Sequence, residues 1–246
     1  LHHEERIMAK RGKRYVDSLK LYDRDAVYQP HEAMGIVKKL ATAKFDETVE
    51  VHMRLNIDPR KAEEQIRDAI VMPAGLGTEV RILVFAEGDA AHIAREAGAD
   101  IIADDELIAR IADEGWTEFD VAIAVPDMMR KIGRLGRVLG PRNLMPSPKS
   151  GTLVPPEDIP RVISEARAGR VEFRNDRTGN IHVPIGKASF SEENLMLNFR
   201  ALMDAIRRDR PPTVKGQFIK KLVVKPTMGP GVKVDPFAAL ALEAVE

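Results

Sequence analysis

The sequence predicts a mixed α+β and α/β protein of two domains, one assembled from both chain ends and the other inserted between them. Three observations carry this. Residues 47–58, "ETVEVHMRLNID", alternate apolar and polar, which is the period of a strand with one buried and one open face. From 80 to 125 short apolar runs alternate with helix-like stretches closed by glycine, the pattern of a largely parallel sheet covered on both faces. Formal charge also changes sign along the chain: −1 over 1–7, +2 over 8–74, −5 over 75–167 and +4 over 168–246, within a total of zero.

From the N-terminus, "LHHEERI" (1–7) is unlike the rest of the chain and precedes Met8, so Met8 is expected to be the natural start and 1–7 an extension. "YQPHEAMGIVKKLATA" reads as a helix begun by Pro30, with Met34, Val37 and Leu40 on one face. The alternating strand comes next, and "QIRDAIVMP" (65–73) can form a second. "MPAGLGTEV" then punctuates the chain. In the insert, "VRILVFAEG", "ADIIADD" and "EFDVAIAVPD" are strands, and "DAAHIAREAG" and "ELIARIADEG" are helices ending at Gly98 and Gly115. A further helix-like stretch ends at Gly169. "RVEFRNDRTGNIHVPIG" reads as two short strands around the turn "NDRTGN". "SEENLMLNFRALMDAIRRDRPP" carries a Ser191 cap, acids in the first turn, Arg207 and Arg208 in the last, and two closing prolines. "GQFIKKLVVKPTMGPGVKVD" is strand, turn, strand, and the alanine- and leucine-rich tail 237–246 can make a short helix.

Composition narrows the function. There are no cysteines, which removes disulfides, thiolate metal sites and cysteine nucleophiles. No apolar run approaches the roughly 18 residues of a membrane span, and no charged and apolar leader opens the chain, so a cytoplasmic protein without a membrane partner is expected. The histidines are too scattered for a local metal-ligand pair, and no G-x-S-x-G elbow or spaced acid pair is present, so neither a cofactor nor catalysis is expected. The competing reading is a nucleotide-binding enzyme using the insert. Its glycines at 133, 136 and 140 fit neither phosphate-loop spacing, although the stretch 130–152 holds Arg134, Arg137, Arg142 and Lys149 with no acid. A basic helix end and a solvated loop explain that stretch equally well.

The flanks carry different chemistry. Lys44 and Phe45 stand at the entry to the alternating strand, whose open face presents Thr48, Glu50 and His52. One turn gathers Arg174, Asn175, Asp176, Arg177 and Thr178 beside Phe173, and "PTMGPG" offers Thr227, Met228, Gly229 and Pro230. Arginines and amides reach phosphates and base edges, hydroxyls meet a 2′-hydroxyl, and exposed Met or Phe lies against a base or sugar. Each turn alone is ordinary hairpin chemistry; three such elements in the basic part of the chain point to structured RNA.

The segments "KFDETVEVHMRLNIDPRKA", "GPRNLMPSPKSGT", "GRVEFRNDRTGNIHVPIGKASF" and "TMGPGVKVDP", in that order and spacing from Met8 to Pro236, resemble the bacterial form of the ribosomal protein L-one family. The resemblance implies a split β-α-β domain from 8–74 and 168–236, holding ribosomal RNA, and a three-layer, Rossmann-like α/β insert over 75–167. It implies a place in the mobile side stalk of the large subunit, assistance to exit-site tRNA, and translational repression through a similar fold in the operon's own mRNA. Carried over, the RNA surface comprises Lys44, Phe45, Thr48, Glu50, His52, Phe173, Arg174, Asn175, Asp176, Arg177, Thr178, Lys187, Thr227, Met228, Gly229 and Pro230, with Arg134, Arg137, Arg142 and Lys149 as a secondary contact. Pro226 departs from the serine or threonine that family members often carry there, and it removes a backbone donor just before the turn.

Overall fold

In the computed structural model, residues 12–242 are described, and the expectations for Met8 and for 1–7 lie outside them. The alternating segment is β1 (Thr48–Leu55), with Val49, Val51, Met53 and Leu55 buried. Its neighbours are β7 (Asn180–Lys187) and β8 (Ile219–Pro226), both antiparallel to it, and β9 (Val232–Val234) pairs with the outer edge of β8. β7 and β8 therefore run parallel with β1 between them, joined by helix α8 (Glu192–Arg208), which is a split β-α-β unit.

Helices α2 (Pro30–Leu40) and α8 cover one face of this sheet and leave the other open. α2 begins where Gln29 and Glu32 cap each other's backbone around Pro30, and it buries Ala33, Met34, Val37 and Leu40. α8 begins at Ser191, whose hydroxyl accepts from Asn194 N at 3.1 Å, and it buries Leu195, Phe199, Leu202 and Ile206 on one stripe. A short helix α1 (Lys13–Ser18), not foreseen in the sequence, precedes them, and the predicted tail helix is α9 (Pro236–Leu240).

The insert is a three-layer α/β unit. Strands β3 (Ile82–Phe85), β4 (Ile101–Ile102) and β5 (Val121–Ala124) form a parallel sheet in the order β4-β3-β5. Ile82 and Val84 point to one face, under α3 (Asp89–Glu96) and α7 (Ile159–Arg167). Leu83 and Phe85 point to the other, under α4 (Asp105–Glu114), α5 (Met129–Ile132) and α6 (Gly136–Leu139). Gly133 and Gly136 thus sit among short helices that bury Ile132, Leu135 and Leu139 on one side and leave Arg134 and Arg137 exposed on the other.

One expectation changes. β6 (Arg170–Arg174) and β7 are both strands, but β6 pairs with β2 (Arg67–Val71) in a separate two-stranded sheet, so the turn between them joins two sheets instead of closing a hairpin. Asn175 extends the β2 pairing, its N–H donating to Ile66 O and its side-chain oxygen accepting from Ile66 N at 2.7 Å. The chain then winds around Asp176 before it enters β7.

The two crossings into and out of the insert touch. Met72 N donates to Gly169 O at 3.2 Å, and Gly169, at φ +94°, lies so close that a Cβ there would stand 3.1 Å from Gly75 Cα. Asn198, fully buried on α8, fastens the first crossing: it accepts from Ala74 N at 2.9 Å and donates to Gly75 O at 2.8 Å and Ile185 O at 2.7 Å.

Candidate nucleic-acid interface

Two of the three predicted elements meet at the Thr48 end of the open face. Thr227 Oγ1 accepts from Thr48 N at 3.0 Å and donates to Thr48 O at 3.2 Å, so the turn after β8 continues the sheet edge. Lys187 Nζ donates to Thr48 Oγ1 at 3.0 Å. Around this knot Lys44 is exposed, Phe45 is 55% exposed and Met228 is 63% exposed. Gly229 is required by close approach: a Cβ there would lie 2.5 Å from Pro226 Cγ, while Pro230 is half-buried beside it. Pro226 itself is buried and pairs opposite Val49, so the proline is accommodated as the last residue of β8.

The middle of the face is a titratable cluster. His52 and His182 lie opposite each other in the β1–β7 register, with their Nδ1 atoms 2.6 Å apart, so one ring donates and the other accepts. Glu50 Oε2 lies 3.2 Å from His52 Nε2, poorly aligned for a hydrogen bond, and 3.9 Å from Lys225 Nζ. Asp176 Oδ2 stands 4.0 Å from His182 Nε2. Burial, followed by the neighbouring His182, pushes His52 below its ordinary 6.5, with Glu50 opposing. The folded chain therefore binds this proton less readily than the unfolded chain. The stability this provides is complete above 6.5 and is lost as pH falls through the lowered folded value. Replacing His52 with Gln should flatten the decline in urea-unfolding stability between about pH 7 and pH 5; an unchanged slope would place the titration elsewhere.

The third element lies at the opposite end. Asn180 is opposite Arg54, six steps along β1 from Thr48, or about 20 Å at roughly 3.3 Å per residue. Asp176 winds the turn, accepting from Thr178 N at 2.7 Å, Thr178 Oγ1 at 2.8 Å and Asn180 N at 2.8 Å. Burial opposes its ionisation, but these bonds outweigh it and hold the carboxyl well below the usual range. Arg177 is exposed and Asn175 half-buried. Arg174 Nη2 donates to Asn143 Oδ1 of the insert at 2.9 Å. Beside the turn opens a cleft of about 940 Å³, lined mainly by residues of 59–67 and 174–177 together with His182, and Lys149 of the insert also lines it. Of the secondary basic residues, Lys149 is thus brought to the main surface, while Arg134, Arg137 and Arg142 are exposed but do not line this cleft.

Phe173 corrects the expectation. It is 2% exposed and belongs to the core with Val171, Ile181 and Phe199, so it offers nothing to a ligand; the strand parity that exposes Glu172 and Arg174 turns it inward. Three residues that local sequence patterns did not single out join the site. His182 arrives through the β1–β7 register, Lys225 through the β1–β8 register, and Glu47 as a buried carboxylate just ahead of β1.

The model of the Ribosomal protein L1p/L10e family matches residues 37–230. The chain belongs to that family. Similar proteins include large ribosomal subunit protein uL1 of Chloroflexus aurantiacus (strain ATCC 29366 / DSM 635 / J-10-fl), 54% identical over 237 residues, covering 96% of this chain and 100% of the relative. The protein of the same name from Dehalococcoides mccartyi is 52% identical over 235 residues, covering 96% and 99%. That from Thermomicrobium roseum is 53% identical over 229 residues, covering 93% and 95%. The family match spans β1 through the turn after β8, so both ends of the open face and the whole insert lie within it. Among the described residues, no helix is long and apolar enough to cross a membrane.

Proposed function

We propose that this family member is a component of the large ribosomal subunit that binds large-subunit ribosomal RNA of the side stalk through the open face of its four-stranded sheet. The observation that carries the reading is the Thr48 end of that face, where Phe45 and Met228 stand exposed on two loops fixed beside Lys44, Lys187 and Thr227. Exposed apolar side chains with cations and hydroxyls between them suit sugars, bases and phosphates together. Arg174, Arg177 and Lys149 at the far end would then meet a second stretch of backbone. The division into a binding domain (8–74 with 168–236) and an insert (75–167) is supported by the touching crossings at 72–75 and 168–170, and the insert is the mobile arm that accompanies exit-site tRNA. Repression of the protein's own operon would use the same face on a similar fold in the messenger.

Co-sedimentation tests the first claim: the chain should travel with large subunits and be released by an excess of free stalk RNA. Replacing Arg174 with Ala should lower the slope of log affinity against log salt by somewhat under one unit, as loss of a single phosphate contact does. An unchanged slope would assign Arg174 to the Asn143 contact alone. A reporter carrying the operon leader, repressed by the chain and not by Met228→Ala, would support the messenger reading.

A further inference from the structure

Glu47 is 1% exposed and lies one residue before the strand, yet it carries a carboxylate into the interior. Its Oε1 accepts from Ala43 N at 2.7 Å, its Oε2 from Met228 N at 2.8 Å, and its backbone carbonyl from Ala188 N at 2.8 Å. Those three amides belong to the segments that present Lys44 and Phe45, Met228 itself, and Lys187. A buried carboxylate is unfavourable unless its oxygens are fully engaged. Here each oxygen is engaged by a different loop.

We propose that Glu47 is the positioning residue of the RNA-binding surface, holding the 43–45 loop and the 227–230 turn in the spacing that places Phe45 and Met228 against RNA before RNA arrives. This rests on the reading of that surface as the RNA site. Neither segment has helix or strand pairing of its own; Thr227 ties the turn to Thr48, and Asp46 ties the loop to Ser189. Glu47, however, is bonded to both segments and so fixes their mutual spacing, which would otherwise have to be ordered on binding at a cost in affinity. An apolar side chain at 47 would fill the space but leave two amides unpaired, and a glutamine supplies one acceptor and one NH₂, which faces a backbone N–H donor to donor.

The test uses the full chain and a side-stalk fragment of large-subunit RNA, with equilibrium affinity as the readout. Glu47→Gln should weaken binding by about tenfold, and the same change made in a Met228→Ala background should weaken it by less than about threefold, because a freed turn has then lost the side chain it positioned. If the two effects are independent, or if Glu47→Gln binds as the unchanged chain does while Met228→Ala is weakened, the inference is overturned and the surface reading stands. If Phe45→Ala and Met228→Ala both bind normally, the surface reading itself fails and the inference with it. Should Glu47→Gln not fold, amide hydrogen exchange on the unchanged chain decides: protected Ala43 and Met228 amides are expected, and free exchange at both overturns the proposal.

Discussion

Replacing Phe173 with Ala should lower the stability of the chain by about 3–5 kcal/mol, the range for removing a buried aromatic ring. Phe173 is among the largest fully buried side chains, and it packs with Val171, Ile181 and Phe199 where the β2–β6 ribbon meets the four-stranded sheet. Truncating the ring leaves a cavity, and among the described residues β6 has β2 as its only strand neighbour to keep it in place. Urea unfolding followed by circular dichroism checks this. RNA affinity, measured where the variant remains folded, should change little, since the ring is shielded from any ligand. A stable variant with strongly weakened RNA binding would return Phe173 to the surface that the sequence suggested.

Met228→Ala should do the reverse. The side chain is 63% exposed, and its backbone N–H, which the substitution keeps, makes the bond to Glu47. Folding stability should therefore stay within about 0.5 kcal/mol, as for other surface changes. Binding to stalk RNA should weaken by tenfold or more, since fully burying a methionine side chain contributes about 1.5–3 kcal/mol. Thr227→Ala is a less clean probe: its hydroxyl both accepts from and donates to the Thr48 backbone, so about 1 kcal/mol of stability should go with any loss of affinity. Isothermal titration and thermal melts on both variants separate the two effects.

Much of the fold was legible in local periodicity. β1, α2 and α8 announce themselves because burial on one face fixes which residues alternate and which recur each helical turn, and the insert strands because burial on both faces makes them short apolar runs. The same alternation contains a signal that passes easily unread: continued back from Val49, it puts Glu47 on the buried side of β1, and continued through β6, it puts Phe173 beside Val171. In both cases polar neighbours mask the parity. The pairing of β6 with β2 instead of β7, and the meeting of His52 with His182, depend on register between distant segments, which no local pattern encodes. For the same reason the three RNA-like elements looked equivalent in sequence, whereas two share the Thr48 end and the third turns towards the insert.

The central claim is that the open sheet face, not the insert, recognises RNA. Equilibrium binding of side-stalk RNA to residues 8–74 joined to 168–236, compared with the full chain and with an unrelated folded RNA, tests it most directly. The joined fragment is expected to retain the specific affinity to within a few fold, with discrimination against the unrelated RNA intact. Specific binding by the full chain alone would contradict the claim and would move recognition into the cleft that Lys149 shares with Arg174 and Arg177.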